Sequence, residues 1–379
     1  HVEFVMSFLL HPANIIFLCF CIITAIQLFY YLYFFSKLAF FKVKPRLKTQ
    51  THPLSVIICA KDEANNLTRF LPGALVQKYP TTHEVIVVND NSTDESKYIL
   101  EEFQRTFKHL EIIELKQKAQ LIPGKKFPLS MGIKSAKYEI VLLTDADCFP
   151  ASDQWMKMMQ EKYHDGIDIV LGYSPFQKTK GLLNKLVRWE GFMTAVQYFS
   201  YACRGMAYMG VGRNLSYKKS VFFEKKGFSS FNNLPGGDDD LFINKAATKS
   251  NVAISLEPET FTVTIPPSTW NQWKSQKERH YSTSRYYKPI HKFFLGLYAF
   301  SSFFYYPLLI FSLILFNWKI GLAVFGARFI VQYLILYKCG KKLQESDLIV
   351  WTLLFDLWMF FYYLIFAGSI IKKPKPSWK

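Results

Sequence analysis

Residues 15–35 form an uncharged apolar run, about the 20 residues that a helix needs to cross a bilayer. The run ends in Phe and Tyr and then in lysines, without the small residues of a cleavage site, so it reads as an anchor and not as a cleaved signal. Three further apolar stretches close the chain, at 293–316, 320–337 and 348–371. A chain patterned this way is expected to bury both ends in a membrane and to fold an ordinary domain between them. Its mean hydropathy stays near zero because that middle is polar.

The net charge of +17 fits either a nucleic-acid surface or the anionic face of a bilayer. Lys37, Lys42, Lys44, Arg46 and Lys48 follow the first apolar run directly, and the middle shows no interleaving of basic and aromatic residues. Membrane contact is therefore expected, with no nucleic-acid partner. By the positive-inside rule this basic run turns the middle domain towards the cytosol. The six cysteines form no CxxC pair and no zinc spacing, which argues against a disulfide scaffold.

The second C-terminal stretch contains Arg328 and Gln332 and the third contains Asp356. Ionisable residues inside a bilayer face protein or a polar cavity. If all three stretches span, the KKPKPSWK tail falls outside; if the middle one is re-entrant, the tail stays in the cytosol. Three spans are favoured, because KCGKK at 338–342 then lies inside.

Between these ends, LSVIICA (54–60), EVIVVND (84–90), EIIEL (111–115), EIVLLTD (139–145) and DIVLG (168–172) predict strands, with helices over 66–77, 94–107 and 128–135. Strands followed by helices imply an α/β domain with a mostly parallel sheet, whose ligands gather at the carboxyl ends of the strands. Residues 182–208 suit either an amphipathic helix on the membrane surface or a core helix.

Acidic groups stand at those strand ends. Asp145 and Asp147 close EIVLLTDADC, where two alternate carboxylates can address one hard divalent cation, Mg²⁺ or Mn²⁺, that shares its shell with phosphate oxygens. Asp90 follows a strand in VIVVNDNSTD and could accept a hydrogen bond from a nucleotide base. In the plainer reading, Ser92 or Thr93 caps the next helix and Asp94 and Glu95 favour its dipole. Asp62 and Glu63 follow the first strand, where they could equally form a helix entry.

Taken together these segments resemble the family-2 glycosyltransferases, over about residues 54–285. ICAKDEANN is similar to the family's opening PxYNE segment, with Glu63 in the Glu place and Lys61 replacing Tyr; VVNDNSTD resembles its DDxSxD segment. The long block PGKKFPLSMGIKSAKYEIVLLTDAD resembles GKxxALNxGIxxAxGEYIxxxDAD, with Gly124, Lys125, Leu129, Gly132 and Ala136 in register. GVGRNLSYKKSVF is similar to an acceptor-side GxxxxxRR segment, and LPGGDDDLF to the family's ED segment. QKERH resembles the QxxRW signature of membrane-embedded synthases and ceramide glucosyltransferase-like enzymes, with His280 in place of Trp.

The resemblance implies a GT-A fold, a Rossmann-like mixed and mostly parallel sheet, flanked by transmembrane helices. It puts Ala60, Glu63, Asp90 (reading uracil), Lys125, Asp145, Asp238, Gln276, Arg279 and His280 on the substrates, Asp145 and Asp147 on the metal, and Asp239 in the role of catalytic base, with Asp240 as the neighbouring candidate. A carboxylate that takes the acceptor's proton while the leaving group departs from the opposite face implies inversion. The expected organisation is an anchor and basic linker at 1–50, a catalytic domain with interfacial helices at 51–285 and C-terminal membrane helices at 286–379.

The expected function is transfer of a sugar from a nucleotide diphosphate-sugar, a UDP-sugar by preference, to a glycan in cell-surface polysaccharide synthesis. The expected location is the plasma or inner membrane, multi-pass, with the catalytic domain cytoplasmic. A membrane-lipid acceptor (ceramide-like, polyprenyl-phosphate or diacylglycerol) is the alternative, which the loss of the Trp favours. A non-catalytic nucleotide-binding membrane protein would predict a broken acidic set, and a dehydrogenase would need the absent GxGxxG.

Overall fold

The computed structural model describes residues 11–43, 51–116, 122–366 and 368. Lys44, Arg46 and Lys48 of the basic linker, and the Lys/Pro tail, lie outside the described residues. The chain folds into two compact units, a helical one from residues 11–41 and 289–366 and an α/β one from residues 42–288.

The α/β unit is built on a seven-stranded sheet in the order β3-β2-β1-β4-β7-β6-β8. Its strands are β1 (Leu54–Ala60), β2 (His83–Asp90), β3 (Leu110–Leu115), β4 (Ile140–Asp145), β6 (Ile169–Leu171), β7 (Leu215–Lys218) and β8 (Val252–Ile254). All seven residues of β1 are buried, which is why LSVIICA shows no polar alternation: both faces of a parallel central strand are covered. The pairings β1–β2, β1–β4, β2–β3 and β6–β8 are parallel, while β7 runs antiparallel to both β4 and β6. A separate antiparallel pair joins β5 (Cys148–Pro150) to β9 (Thr262–Thr264).

Helix Ala64–Leu75 buries Leu67, Phe70, Leu71, Ala74 and Leu75, a 3.6-residue stripe laid against the sheet. Helix Lys126–Ser135 approaches β1 and β2 closely at Gly132, where an added Cβ would stand 2.7 Å from Ile57 Cγ2. Residues Leu182–Cys203 form one helix buried on most sides, including Arg188 and Glu190, so the core-helix expectation describes it and the surface-helix one does not.

Register places the site. Cys59 pairs with Asp145 and Ala60 with Asn89, so β1, β2 and β4 end side by side, with Ala60, Asp90 and Asp145 on one edge of the sheet.

In the helical unit, Pro12–Ala39, Pro289–Leu315 and Trp318–Lys342 are long and apolar enough to cross a membrane. Residues 320–337, short as a sequence stretch, thus sit inside a longer continuous helix. The last apolar stretch carries Thr352–Phe366, a 15-residue helix, about 22 Å long at 1.5 Å per residue against a hydrocarbon core of about 30 Å. The first helix widens to a π-turn over Tyr30–Phe35. That turn brings Tyr30, Tyr31, Phe34 and Phe35 all inward, each fully buried.

Arg328, Gln332 and Asp356 meet in this unit. Arg328 Nη1 donates to Asp356 Oδ2 at 2.5 Å and to Gln332 Oε1 at 2.7 Å, and Nη2 donates to Gln27 Oε1 at 2.9 Å and Asp356 Oδ1 at 3.2 Å. Tyr306 and Gln332 also donate to Asp356, and Gln332 to Tyr31 Oη. The ring of Tyr305 lies 4.3 Å below the guanidinium. Four helices therefore share one ion-paired network, the protein-facing arrangement expected of intramembrane charge.

Candidate active site

The loops after β1 and β2 are laced together. Asp62, at a left-handed φ of 52°, accepts from Thr93 N–H at 2.7 Å and from the Thr93 hydroxyl at 3.1 Å, and its own N–H donates to Ser92 Oγ at 2.9 Å. Asp94 serves two helix starts, accepting from Ala64 N–H at 2.9 Å and from Ser96 N–H at 3.0 Å. The expected cap by Ser92 or Thr93 is thus corrected: those side chains bind the neighbouring loop, and Asp94 takes the orphan N–H groups of helices Ala64–Leu75 and Ser96–Thr106. Glu63 accepts from Asn66 Nδ2 at 2.6 Å, and Asp90 from Asn91 Nδ2 at 3.0 Å.

Lys125 is the hub. Its Nζ lies 2.9 Å from Asp145 Oδ1 and 3.2 Å from Asp238 Oδ2, joining the end of β4 to the acidic loop some ninety residues later. Gly124 precedes it at φ +78°, and an added Cβ there would strike Pro235 O at 2.1 Å, so glycine is required by both backbone and space. Lys126 turns the other way: buried, it donates to the carbonyls of Leu234 and Gly236 and fastens the loop that carries the acids. Burial opposes the charge of Lys125, yet Asp145, Asp238 and Asp239 hold its ammonium well above the usual range.

The three acids after Gly237 have different surroundings. Asp240 is buried and fully engaged: its Oδ2 accepts from Thr283 Oγ1 at 2.5 Å and Tyr287 Oη at 2.7 Å, and its Oδ1 from Leu241 N–H at 2.7 Å. Asp239 is half-buried and caps helix Asp240–Ala246, accepting from Asp240 N–H at 2.7 Å and from Gly212 N–H at 2.9 Å. Burial, then the charges of Asp238 and Asp240, push its carboxyl up to about 7, against the pull of Lys125 and Gly212. Of the two candidates for a base, Asp239 is the less buried, and its proton affinity is the one matched to neutral pH.

At the β4 end, burial works against ionisation of Asp145, but Lys125, with Arg213 and Arg279 beyond it, holds its carboxyl below the ordinary value. Asp147 is pushed up by burial and then by the Asp145 charge. This is an oxygen-only donor pair without thiolate or imidazole, suited to a hard dication that completes its shell with phosphate oxygens. Among the described residues no group of three or more His, Cys, Asp or Glu side chains is arranged to hold a metal ion.

Helix Trp270–Ser284 carries Gln276, Arg279 and His280. Arg279 is close enough to act on Asp145. Gln276 Oε1 is buried and has no hydrogen-bond partner among the described residues, while His280 is exposed. Lys277 pairs with Glu190 of helix Leu182–Cys203 beneath, both nearly buried. Sequence reasoning passed over Thr283, in the last turn of helix Trp270–Ser284, and Tyr287, just beyond it, because their hydroxyls have meaning only once Asp240 is placed. It also passed over Gly212, whose N–H holds Asp239, and Arg213, which stands within a segment that was recognised.

A mixed, mostly parallel sheet with acidic strand ends and an acidic loop tied to them through Lys125 is the GT-A class of fold. Residues 55–226 match the family model described as Glycosyl transferase family 2. Glycosyltransferase AglE of Haloferax volcanii is 32% identical over 136 residues, 35% of this chain and 43% of that protein. Beta-monoglucosyldiacylglycerol synthase of a Nostoc strain is 29% identical over 107 residues, 28% of this chain and 22% of that protein. Poly-beta-1,6-N-acetyl-D-glucosamine synthase of Staphylococcus epidermidis is 28% identical over 140 residues, 36% of this chain and 32% of that protein. The chain spans less than half the length of these curated relatives. Among solved structures, the mannosyltransferase PcManGT from Pyrobaculum calidifontis, in complex with GDP-Man and Mn2+, superposes with a TM-score of 0.58 at 17% identity, covering 91% of this chain and 99% of that one. The likeness to it is one of fold.

Proposed function

We propose that this protein is an inverting glycosyltransferase, embedded in a plasma or inner membrane with its catalytic domain, residues 51–285, on the cytosolic side. It moves a sugar from a nucleoside diphosphate-sugar, a UDP-sugar by preference, to a glycan acceptor in cell-surface polysaccharide synthesis. The observation that carries this reading is the Lys125 bridge, which holds Asp145 and Asp238–Asp239 in one cluster at the edge where Ala60 and Asp90 end their strands.

Ala60, Glu63 and Asp90 line the nucleoside side, with the Asp90 carboxylate accepting from the base. Lys125 and Arg279 meet the diphosphate, aided by Gln276 and His280 from the same helix. A Mg²⁺ or Mn²⁺ ion held by Asp145 and Asp147 would neutralise charge on the leaving diphosphate. Asp239, oriented by the N–H groups of Gly212 and Asp240, takes the acceptor hydroxyl's proton as the oxygen attacks the anomeric carbon. Asp238 stays on Lys125 and orders the loop.

A second reading, a membrane-lipid acceptor, is favoured by His280 at the expected Trp position and by the similarity to a diacylglycerol glycolipid synthase. Purified protein supplied with a panel of radiolabelled nucleotide-sugars, followed by partition between organic and aqueous phases, separates the two. Label in high-mass, water-soluble or insoluble glycan supports the first reading, short lipid-phase product supports the second, and transfer from no donor refutes both.

A further inference from the structure

Arg213 lies between two anchored neighbours. On one side Gly212 N–H donates to Asp239. On the other, Asn214 is buried, donates to the carbonyls of Tyr173 and Thr260, and accepts from Trp155 Nε1 at 3.0 Å. The carbonyl of Arg213 itself accepts from Thr262 Oγ1 at 2.8 Å. Its backbone is therefore fixed by three separate elements.

The side chain is fixed as well. Its guanidinium lies 4.8 Å over the ring of Phe176, which is buried and backed by helix Leu182–Cys203 at Gly191, where an added Cβ would stand 3.1 Å from the ring. Arg213 Nε is buried and makes no hydrogen bond, and among the described residues no carboxylate reaches ion-pairing distance of the guanidinium. Arg328 also leaves its Nε without a partner, but both its terminal nitrogens are spent on Asp356, Gln27 and Gln332. The backbone that Arg213 branches from faces the acidic cluster: an added Cβ at the adjoining Gly212 would stand 3.0 Å from Lys125 Nζ and 3.5 Å from Asp239 Oδ2. A stiff planar cation without a directly bonded carboxylate, beside the acids expected to receive a donor, is preorganised for an anion with paired oxygens.

We propose that Arg213, stacked on Phe176, is a further binding residue for the diphosphate of the nucleotide donor. The proposal rests on the donor reading above and adds to it a residue that the motif comparison left out. Phe176 positions the fork: it restricts the guanidinium's plane so that less freedom is lost when phosphate oxygens dock.

The test is equilibrium binding of UDP, UMP, GDP and GMP to the purified full chain with Mn²⁺ present. Wild type should prefer UDP over UMP, or GDP over GMP. In Arg213→Gln the diphosphate should bind at least tenfold more weakly and the monophosphate less than threefold, so the preference collapses, and Arg213→Lys should fall between. An unchanged preference in Arg213→Gln at unchanged Tm would overturn the assignment while leaving the donor reading intact. Wild type that binds none of the four would overturn both. Should Arg213→Gln fail to fold, Phe176→Leu keeps the cation and removes the plate; a two- to fivefold loss of diphosphate affinity is expected there, and unaltered affinity counts against the proposal.

Discussion

Arg328 in the helical unit and Lys125 in the α/β unit each gather carboxylates, yet their surroundings differ in kind. Around Arg328, one cation meets one carboxylate, and amides and phenols take most of the remaining bonding capacity. Around Lys125, one ammonium is shared between Asp145 and Asp238 while Asp147, Asp239 and Asp240 crowd nearby and are pushed towards protonation by burial. The first cluster is charge-balanced, with both terminal guanidinium nitrogens bonded, as a structural joint between apolar helices must be. The second holds an excess of acids and, at Arg213, a cation without a directly bonded carboxylate, which is the condition of a site prepared for a charged ligand.

The comparison breaks most sharply at Asp145 and Asp147, the pair proposed to hold the metal. Asp147→Asn should reduce sugar transfer to background and abolish the part of donor binding that depends on Mn²⁺, measured by titration with and without EDTA; full metal-dependent binding would remove the pair from the site. Next in size is the cluster around Arg328. Asp356→Leu alone strands a buried guanidinium and should destabilise the helical unit by about 3–5 kcal/mol, whereas Asp356→Leu with Arg328→Met should recover most of that loss. Thermal unfolding in detergent reads the difference, and equal Tm values for single and double variants would deny the joint its structural character.

Smaller effects probe the acids around the base. Tyr287→Phe and Thr283→Val each remove one hydroxyl from Asp240, about 1–3 kcal/mol if the carboxylate is left short of a partner. Each should lower kcat several-fold with little change in donor KM. Mildest is the pH response. Asp239 acts only when ionised, so kcat/KM should rise with pH, with unit slope below about 7, and level off above it. A flat profile from pH 5.5 to 8 would contradict that assignment.

Much of the α/β unit could be read from the sequence because its central strands are buried on both faces and therefore spell unbroken apolar runs. The block from Gly124 to Asp147 was legible for reasons the structure supplies residue by residue. Gly124 is held at positive φ against Pro235, Lys125 is the hub, Leu129 and Ala136 are buried, and Gly132 admits β1 and β2. Strands β5, β7, β8 and β9 were missed. Three of them are only three residues long, and β7, four residues, runs antiparallel in a sheet expected to be mostly parallel. The partners of Asp240 and the setting of Arg213 were not legible, since both depend on contacts between segments far apart in the chain. The reverse holds for Arg328, Gln332 and Asp356, whose convergence was foreshadowed by their cost in an apolar run.

The central claim is that carboxylates from β4 and from the acidic loop converge to transfer a sugar, with Asp239 receiving the proton. It is tested most directly by assaying Asp239→Asn beside wild type, with single-turnover transfer and nucleoside diphosphate affinity measured on the same preparations. The account predicts a fall in transfer of about 10²–10⁴-fold with affinity held within twofold. Transfer at the wild-type rate by the Asn variant would contradict it.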